Sequence, residues 1–286
     1  MFHMRRIGDL MILESDLFPI TLKHAFATRR ISQPSPPTVP DGQQVESPNF
    51  RIDSIDTTAK WWVKLRDSLF SPGHVACAHN QVHSGTVRVL DPEKLEGDMI
   101  EAGGFKISIL GEGDGIIKPF CREPIFLCIT TADCLPCLAW DPVTGATGVV
   151  HSGWRGLAAD IHGNAVRMFE SHFGAEAKDF HWAIGPSIDQ NNYEVGMEVI
   201  AAMETAGFAE SDWEEDESIT PGWLPSRRRD HYRLNLSALA AMRLKSLGVS
   251  PDNIDICALS TYDNPNLFFS YRRDGEVKGL QAAVIG

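Results

Sequence analysis

Long apolar runs are missing from this chain. Its hydrophobic stretches are a few residues long, far short of the roughly 20 that carry a helix across a bilayer, so no membrane span is expected. Cationic excess is missing too. Lys+Arg number 26 against Asp+Glu 38, a formal net charge of −12, and such a surface repels nucleic acid and anionic membranes. Small neutral or locally steered ligands are the natural partners. Cysteine is too sparse for a disulfide framework: Cys77, Cys121, Cys128, Cys134, Cys137 and Cys257 are spread over 286 residues and read as reduced thiols, mostly in the core. The first residues, "MFHMRRIGDLMILESDLF", have an apolar patch interrupted by acids and no small-residue cleavage site, so no secretory signal is expected and the cytoplasm is the expected compartment. Local signatures are lacking as well. There is no H-E-x-x-H, no phosphate loop ending in G-K-[ST], and none of the ten histidines stands in an H-x-H pair.

What is present is a chain of 43% hydrophobic composition, long enough for one large domain or two small ones. "PIFLCITT" (124–131), "PCLAWD" (136–141) and "ATGVVH" (146–151) read as short strands, the last two joined by "PVTG" into a hairpin buried on both faces. Leu157, Ile161, Ala165, Met168 and Phe169 recur at helical spacing up to a capping Gly174. Val195, Val199, Ile200 and Met203 mark a second helix ending near Gly207, and Asn235 caps a third that closes at Gly248. "FHWAIGPSI" (180–188), "NIDICAL" (253–259) and "GLQAAVIG" (279–286) supply further strands. Helices alternating with strands that include hairpins predict an α+β protein with layered mixed sheets and flanking helices. Residues 33–48 hold five of the 17 prolines and read as a loop, as does the acidic-to-basic stretch 210–230.

Four stretches concentrate reactive and small residues at strand ends: "HNQVHSGTV" (79–87), "GEGDG" (111–115), "TTADCLPC" (130–137) and "HSGWRG" (151–156). They nominate His83, Cys134 and His151. Two imidazoles and a thiolate suit Zn(II) with a fourth position left for water. Spacings of 51 and 17 residues do not by themselves join them, and each residue alone is also an ordinary core or surface residue. Cys134 and Cys137 spell C-x-x-C, but positions three apart on an extended segment point to opposite faces, which argues against a redox dithiol. "GEGDG" is either a polar turn or a ligand loop offering Asp114 or backbone amides. Arg155, between Trp154 and Gly156, is either a surface cation or a contact for a phosphate or purine; Arg272 and Arg273 add charge near the C-terminus.

Taken together, "QVHS" (81–84), "GEGDG" (111–115), "TADCLP" (131–136), "HSGWRG" (151–156), "IGPSI" (184–188), "YEVG" (193–196) and "SYRRDG" (270–275) resemble the YfiH-like family, over roughly residues 74–286. Members carry the older labels polyphenol oxidase or laccase-domain protein and are understood as purine nucleoside phosphorylases with adenosine deaminase activity. The resemblance implies a single catalytic domain over 19–286 behind an N-terminal extension at 1–18, related in fold to the catalytic domain of cytotoxic necrotizing factor. It implies metal ligands at His83, Cys134 and His151, with zinc the expected ion and copper the older family label. It also implies phosphorolysis of adenosine, inosine and methylthioadenosine to base plus ribose 1-phosphate, and deamination of adenosine to inosine. Candidate catalytic residues are Cys134, His83, His151, Arg155 and Asp133. Asp133, Glu112 and Asp114 are the candidate proton carriers, and Arg29, Arg155 and Arg272 the candidate phosphate ligands. "AFATRR" matches the family's N-terminal motif through Thr28 and Arg29, but "ISQPSPP" replaces the Gly-Gly-Val-Ser that follows it in the family. The alternatives are a cysteine amidohydrolase using Cys134 with His83 or His151, a polyphenol oxidase, or a non-catalytic regulator that binds a nucleotide or cell-wall intermediate. A monomer is the default expectation.

Overall fold

A computed structural model describes residues 1–31, 46–211 and 220–286. Two sheets stack face to face, and helices cover each outer face. The first sheet has eight strands in the order β1 (Phe2–Ile7), β2 (Leu10–Ser15), β3 (His24–Ile31), β17 (Gln281–Ile285), β9 (Ile125–Thr131), β4 (Val75–Asn80), β7 (Phe105–Glu112) and β6 (Asp98–Ala102). The second has six, in the order β16 (Ile254–Ile256), β12 (His181–Ile184), β10 (Leu135–Trp140), β11 (Thr147–Ser152), β8 (Gly115–Lys118) and β5 (Val87–Val89). Both are mixed: β4 runs parallel to β7 and β9, whereas β17 is antiparallel to β3 and β9. The segment expected as an N-terminal extension forms β1 and β2, paired through β2 to β3.

Strand alternation builds the layers. Leu127 and Ile129 of β9 face Leu138 of β10 and Val149 of β11 in the core between the sheets, while Cys128 turns to the opposite face and Val150 likewise turns outward from β11. The outer face of the first sheet is covered by α1 (Ile55–Leu69), whose Trp62 stacks on Phe105 with ring centroids 5.3 Å apart. The outer face of the second sheet is covered by α2 (Trp154–Ala158), α3 (Ile161–Phe173), α4 (Met197–Thr205) and α5 (Leu236–Ser246).

The expected hairpin is β10–β11, with Pro136 opposite His151. Asp141 closes it: its buried carboxylate accepts the amides of Val143 and Thr144 at 3.1 and 3.0 Å, and Gly145 takes φ 76°. α3 ends on Gly174 in the left-handed conformation, and Asn235 caps α5 by accepting the amide of Ala238 at 3.1 Å.

Four details differ from the sequence pattern. The single helix read from Leu157 to Phe169 is broken at Asp160, whose φ of 55° ends α2 and whose side chain caps α3. Val195 belongs to a strand, because α4 starts only at Met197. The 210–230 stretch contributes β14 (Trp223–Pro225), which pairs with β15 (His231–Leu234); with β13 (Glu194–Gly196) these make a third, three-stranded sheet too short to show a period. Residues 212–219 of that stretch, and 33–45 of the proline-rich one, lie outside the described residues. Helix α1 is missing from the sequence reading, although Ile55, Ala59, Trp62, Leu65 and Leu69 are all buried at helical spacing.

Asp160 also ties α3 to α5. Arg243 donates to both its oxygens at 2.7 and 2.8 Å, and Arg167 adds a third contact at 2.8 Å. Burial raises its carboxyl pKa, but these two arginines outweigh burial and hold it at about 2. Asp160→Asn keeps the cap acceptor and tolerance of the left-handed backbone, so it isolates the charge, and a loss of about 1 kcal/mol is expected. A depressed carboxyl stabilises the fold above its unfolded value of 3.8 and loses that effect toward about 2. Denaturation midpoints of wild type and Asp160→Asn should therefore differ steadily at neutral pH and converge as the pH falls through that window.

Candidate metal centre

Three connections meet at one end of the stacked sheets. His83 lies on the segment after β4, Cys134 on the tight turn from β9 to β10, and His151 on β11 itself. One imidazole nitrogen from each histidine and Cys134 Sγ all lie within 4.8 Å of one another, with Cys134 Sγ 3.8 Å from His83 Nε2. Tetrahedral zinc with bonds of about 2.0–2.3 Å spaces its ligand atoms about 3.3–3.8 Å apart, so a small closure of the side chains completes the set. His151 is buried, Cys134 half-buried and His83 exposed, which leaves the set open on the His83 side.

Asp114, fully buried in the turn between β7 and β8, organises the group. Its Oδ1 accepts His151 Nδ1–H at 2.8 Å and the His83 amide at 3.0 Å; its Oδ2 accepts the Ser84 amide at 2.6 Å and the Ser84 hydroxyl at 2.8 Å. Its carbonyl accepts the His151 amide at 2.7 Å. With Nδ1 so engaged, Nε2 of His151 is the nitrogen turned to the trio. Gln81 anchors the other end of the His83 segment, exchanging two 2.8 Å hydrogen bonds with the Thr130 backbone.

Two of the four non-glycine residues with positive φ among the described residues lie at the site. His83 has φ 61° and Asp133 has φ 101°, conformations that non-glycine residues adopt only when their surroundings fix them. The Asp114 and Gln81 bonds fix the first. Asp133 fixes the second: it accepts the Thr261 hydroxyl at 2.6 Å and the Arg272 amide at 2.7 Å, while its carbonyl accepts the Ile188 amide at 3.0 Å. Gly153 completes the enclosure. A Cβ there would stand 2.9 Å from Cys134 Sγ and 3.2 Å from His83 Cδ2, so only glycine lets the chain pass so close.

The electrostatics favour a ligand-ready thiolate. Burial raises the Cys134 thiol, but the hydrogen bond and charge of His151, with those of His83, outweigh it and bring the pKa to about 6. Burial lowers His151, but Asp114 and Cys134 outweigh it and hold the imidazole at about 9. Burial also opposes ionisation of Asp114, which the His151 and Ser84 hydrogen bonds reverse, so its carboxyl is well below the usual range. Cys137 behaves oppositely. It points across the sheet, with Sγ 3.6 Å from Nε2 of the buried His162, and burial alone pushes its thiol up. The C-x-x-C spacing is therefore no dithiol site.

Other nominated residues take their places around this centre. Arg155 is exposed, its guanidinium 4.2 Å above the Trp154 ring. Arg272 is exposed, stacked 5.0 Å from the Tyr193 ring, and donates to the Glu194 carbonyl at 2.8 Å. Arg29 lies 4.4 Å over Phe269, and Arg273 is spent on the carbonyls of Thr261, Tyr262 and Phe268. Glu112 is exposed at the end of β7. The sequence reading missed Asp114 as the partner of His151, Gln81 as an anchor, and Tyr193. The signal for Asp114 lies in its flanking glycines: a Cβ at Gly113 would meet the His79 ring at 3.0 Å, and one at Gly115 would meet Val87 at 2.8 Å, so the turn is crowded rather than solvent-facing.

The donor set, the carboxylate behind His151 and the clearance at Gly153 fit a metal ion of the zinc class. Asp114→Asn should lower metal affinity about 10–100-fold, because neither the His151 tautomer nor the His83 segment keeps its anchor. Gly153→Ala should do so through contact alone. Metal content after dialysis against a competing chelator, with a circular dichroism check of folding, measures both; retention at wild-type level would show that Asp114 and Gly153 do not shape the centre.

Comparison with known proteins identifies the family and the fold. Among proteins of known name, the chain is 32% identical to a purine nucleoside phosphorylase of Bacteroides thetaiotaomicron, over 58% of each chain. It is 30% identical to the purine nucleoside phosphorylase YlmD of Bacillus subtilis, over 58% of this chain and 56% of that one. These matches span less than two thirds of either relative's length. Among solved structures, YlmD of Geobacillus stearothermophilus superposes with a TM-score of 0.80 at 22% identity, covering 100% of this chain and 98% of that one. The hypothetical protein YfiH of Bacillus licheniformis gives 0.79 at 24% identity, covering 99% and 98%. Among the described residues no helix is long and apolar enough to cross a membrane. Residues 24–286 match the family model described as multi-copper polyphenol oxidoreductase laccase, and with this fold the chain belongs to that YfiH-like family.

Proposed function

We propose that this protein is a zinc-dependent purine nucleoside enzyme. It cleaves adenosine, inosine and methylthioadenosine with phosphate to give base plus ribose 1-phosphate, and it deaminates adenosine to inosine. The observation that carries the reading is the His83, Cys134 and His151 centre, anchored by Asp114, in a chain related to proteins named purine nucleoside phosphorylase. When bound, the ion supplies Lewis-acid polarisation and acidifies a water to a pKa of about 7.

The chain's own residues divide the remaining work. Cys134 brings a thiolate at neutral pH, and the two imidazoles complete the donor set. Asp114 fixes the tautomer of His151. Asp133, with both oxygens engaged by donors, holds the turn that presents Cys134. Asp133 and Asp114 thus act by positioning, and Glu112 is the exposed carboxylate of the three nominated to carry a proton. Arg155 and Arg272 offer guanidinium edges to the attacking phosphate, each with its face occupied by an aromatic ring.

A second reading draws on a specific feature. Asp114, His151 and Cys134 stand in the order carboxylate, imidazole, thiol, which in a metal-free protein is the arrangement of a cysteine hydrolase. The open His83 nitrogen beside the same thiol favours metal ligation instead. Copper oxidase chemistry of the multi-copper kind needs several donor groups, and among the described residues only one group of three is found.

Incubation with adenosine and phosphate should yield adenine, ribose 1-phosphate and inosine. Cys134→Ala should reduce all three by on the order of 100-fold or more. Chromatographic product analysis checks this: wild-type rates in Cys134→Ala would remove the centre from the reaction, and full activity of a metal-stripped preparation would favour the cysteine-hydrolase arrangement.

A further inference from the structure

Among the described residues two lysine or arginine side chains are buried, and they are satisfied differently. Arg66 donates to the Asp67 carboxylate and to the Gly104 carbonyl, each at 2.7 Å. Lys118 is 4% exposed and meets no carboxylate: among the described residues its Nζ has one hydrogen-bond partner, Cys121 Sγ at 3.6 Å. Strand alternation puts it there. Ile116 of β8 lies in the core between the two sheets, so Lys118, two residues further along the same strand, faces that layer as well. Taking an amine into such a layer is costly without a partner, and the partner this chain supplies is a thiol.

That thiol is within reach of solvent. Cys121 is half-buried on the coil 119–124, which crosses from β8 in one sheet to β9 in the other, and its Sγ also points to the Glu123 carbonyl at 4.0 Å. The coil is held in place: Pro119 fixes its own φ, and a Cβ at Gly145 would stand 3.0 Å from the Cβ of Phe120, so the β10–β11 turn packs closely on the coil. Cys77 of β4 is near enough for Lys118 and Cys121 both to act on it, but it is fully buried, and burial pushes its thiol up to about 12 against the opposing charge of Lys118. Cys121 is therefore the thiol of this cluster that combines access with an amine beside its sulfur.

We propose that Lys118 and Cys121 form a redox modification site, in which a hydroperoxide oxidises the Cys121 sulfur and the Lys118 amine captures it as a reversible S–N bridge. The site is independent of the phosphorylase reading. The thiolate form of Cys121 attacks one peroxide oxygen, the O–O bond breaks, and the departing hydroxide takes a proton from the Lys118 ammonium. This leaves a sulfenic acid beside a free amine. The amine then attacks the sulfur; the S–N bond forms as the S–O bond breaks, and the hydroxide leaves with a proton of the amine as water. In sum, thiolate, ammonium and hydrogen peroxide give a sulfenamide and two waters, with the sulfur losing two electrons to the peroxide oxygens. The flexible four-carbon stem of the lysine closes the remaining distance. Lys118 stands at the opposite end of β8 from Asp114, so the bridge ties down the crossover between the sheets rather than the metal centre.

Treatment of the full-length protein with hydrogen peroxide, followed by iodoacetamide, trypsin and mass spectrometry, tests it. Residues 107–122 emerge as one peptide, because trypsin does not cut between Lys118 and Pro119, and Cys134 falls on the next peptide. In wild type the 107–122 peptide should lose two hydrogens and escape alkylation, and dithiothreitol should restore both the hydrogens and the reaction with iodoacetamide. Lys118→Arg keeps a cation beside the sulfur without an amine able to close the bridge, and Lys118→Met keeps the apolar stem alone. Both should lose the bridged peptide and carry added oxygen on Cys121 instead. Cys121→Ser should leave the peptide unchanged by peroxide, and circular dichroism checks that each variant is folded. The wild-type result decides without any variant: a 107–122 peptide that stays unmodified, that gains oxygen alone, or that is joined by a disulfide to the peptide of Cys77 would overturn the proposal. Persistence of the two-hydrogen loss in Lys118→Arg would do the same.

Discussion

One buried carboxylate holds the centre together. Asp114 accepts hydrogen bonds from the His151 ring and from the backbone of the His83 segment, so a single side chain sets the orientation of one nominated ligand and the position of another. Taking an ionised carboxylate wholly out of water is costly unless every lone pair is engaged, and here the donors are four distinct N–H or O–H groups at 3.0 Å or less. The same arrangement explains why the left-handed His83 backbone is tolerated: the amides that fix it are the ones Asp114 requires. Removal of the carboxylate would leave strain on one side of the site and a freed imidazole on the other.

The fold supplies the frame for that contact. The β10–β11 hairpin, closed by Asp141, sets Leu135 opposite Ser152 and so brings the Cys134 turn against Gly153. Asp114 enters from the neighbouring β8, whose register with β11 pairs Gly115 with Val150. His83 arrives from the other sheet, after β4. A site built from both sheets is rigid because the core between them is filled by alternating residues of each, such as Leu127, Leu138 and Val149.

Legibility in the sequence followed the same physics. The hairpin, α5 with its Asn235 cap and the Gly174 stop were readable because apolar period and cap chemistry are local. His83, Cys134 and His151 were readable as reactive types at strand ends, but their convergence is a property of long-range pairing and became specific only through the resemblance of seven motifs. Asp160 was unreadable as a break, since a left-handed aspartate in the middle of a helical period depends on Arg243 from a distant helix. Asp114 was left open between a polar turn and a ligand loop because a charged residue between glycines looks solvated; its burial is visible only in three dimensions, where a Cβ at the flanking Gly113 or Gly115 would meet His79 or Val87. Tyr193 stood inside one of the seven motifs, "YEVG", but its position beside Arg272 comes from long-range packing.

The family's two vocabularies, oxidase and phosphorylase, assign different chemistry to the same residues; the reading proposed above rests on one group of one thiolate and two imidazoles among the described residues, where electron transfer among several coppers would need more donor groups. The most direct measurement is zinc titration into metal-stripped protein while adenine release from adenosine is followed in phosphate buffer free of excess metal. Activity should rise linearly and level off at about one zinc per chain, as a single three-ligand centre requires. Full activity before any zinc is added, or recovery only with copper, oxygen and a phenolic substrate, would contradict the account.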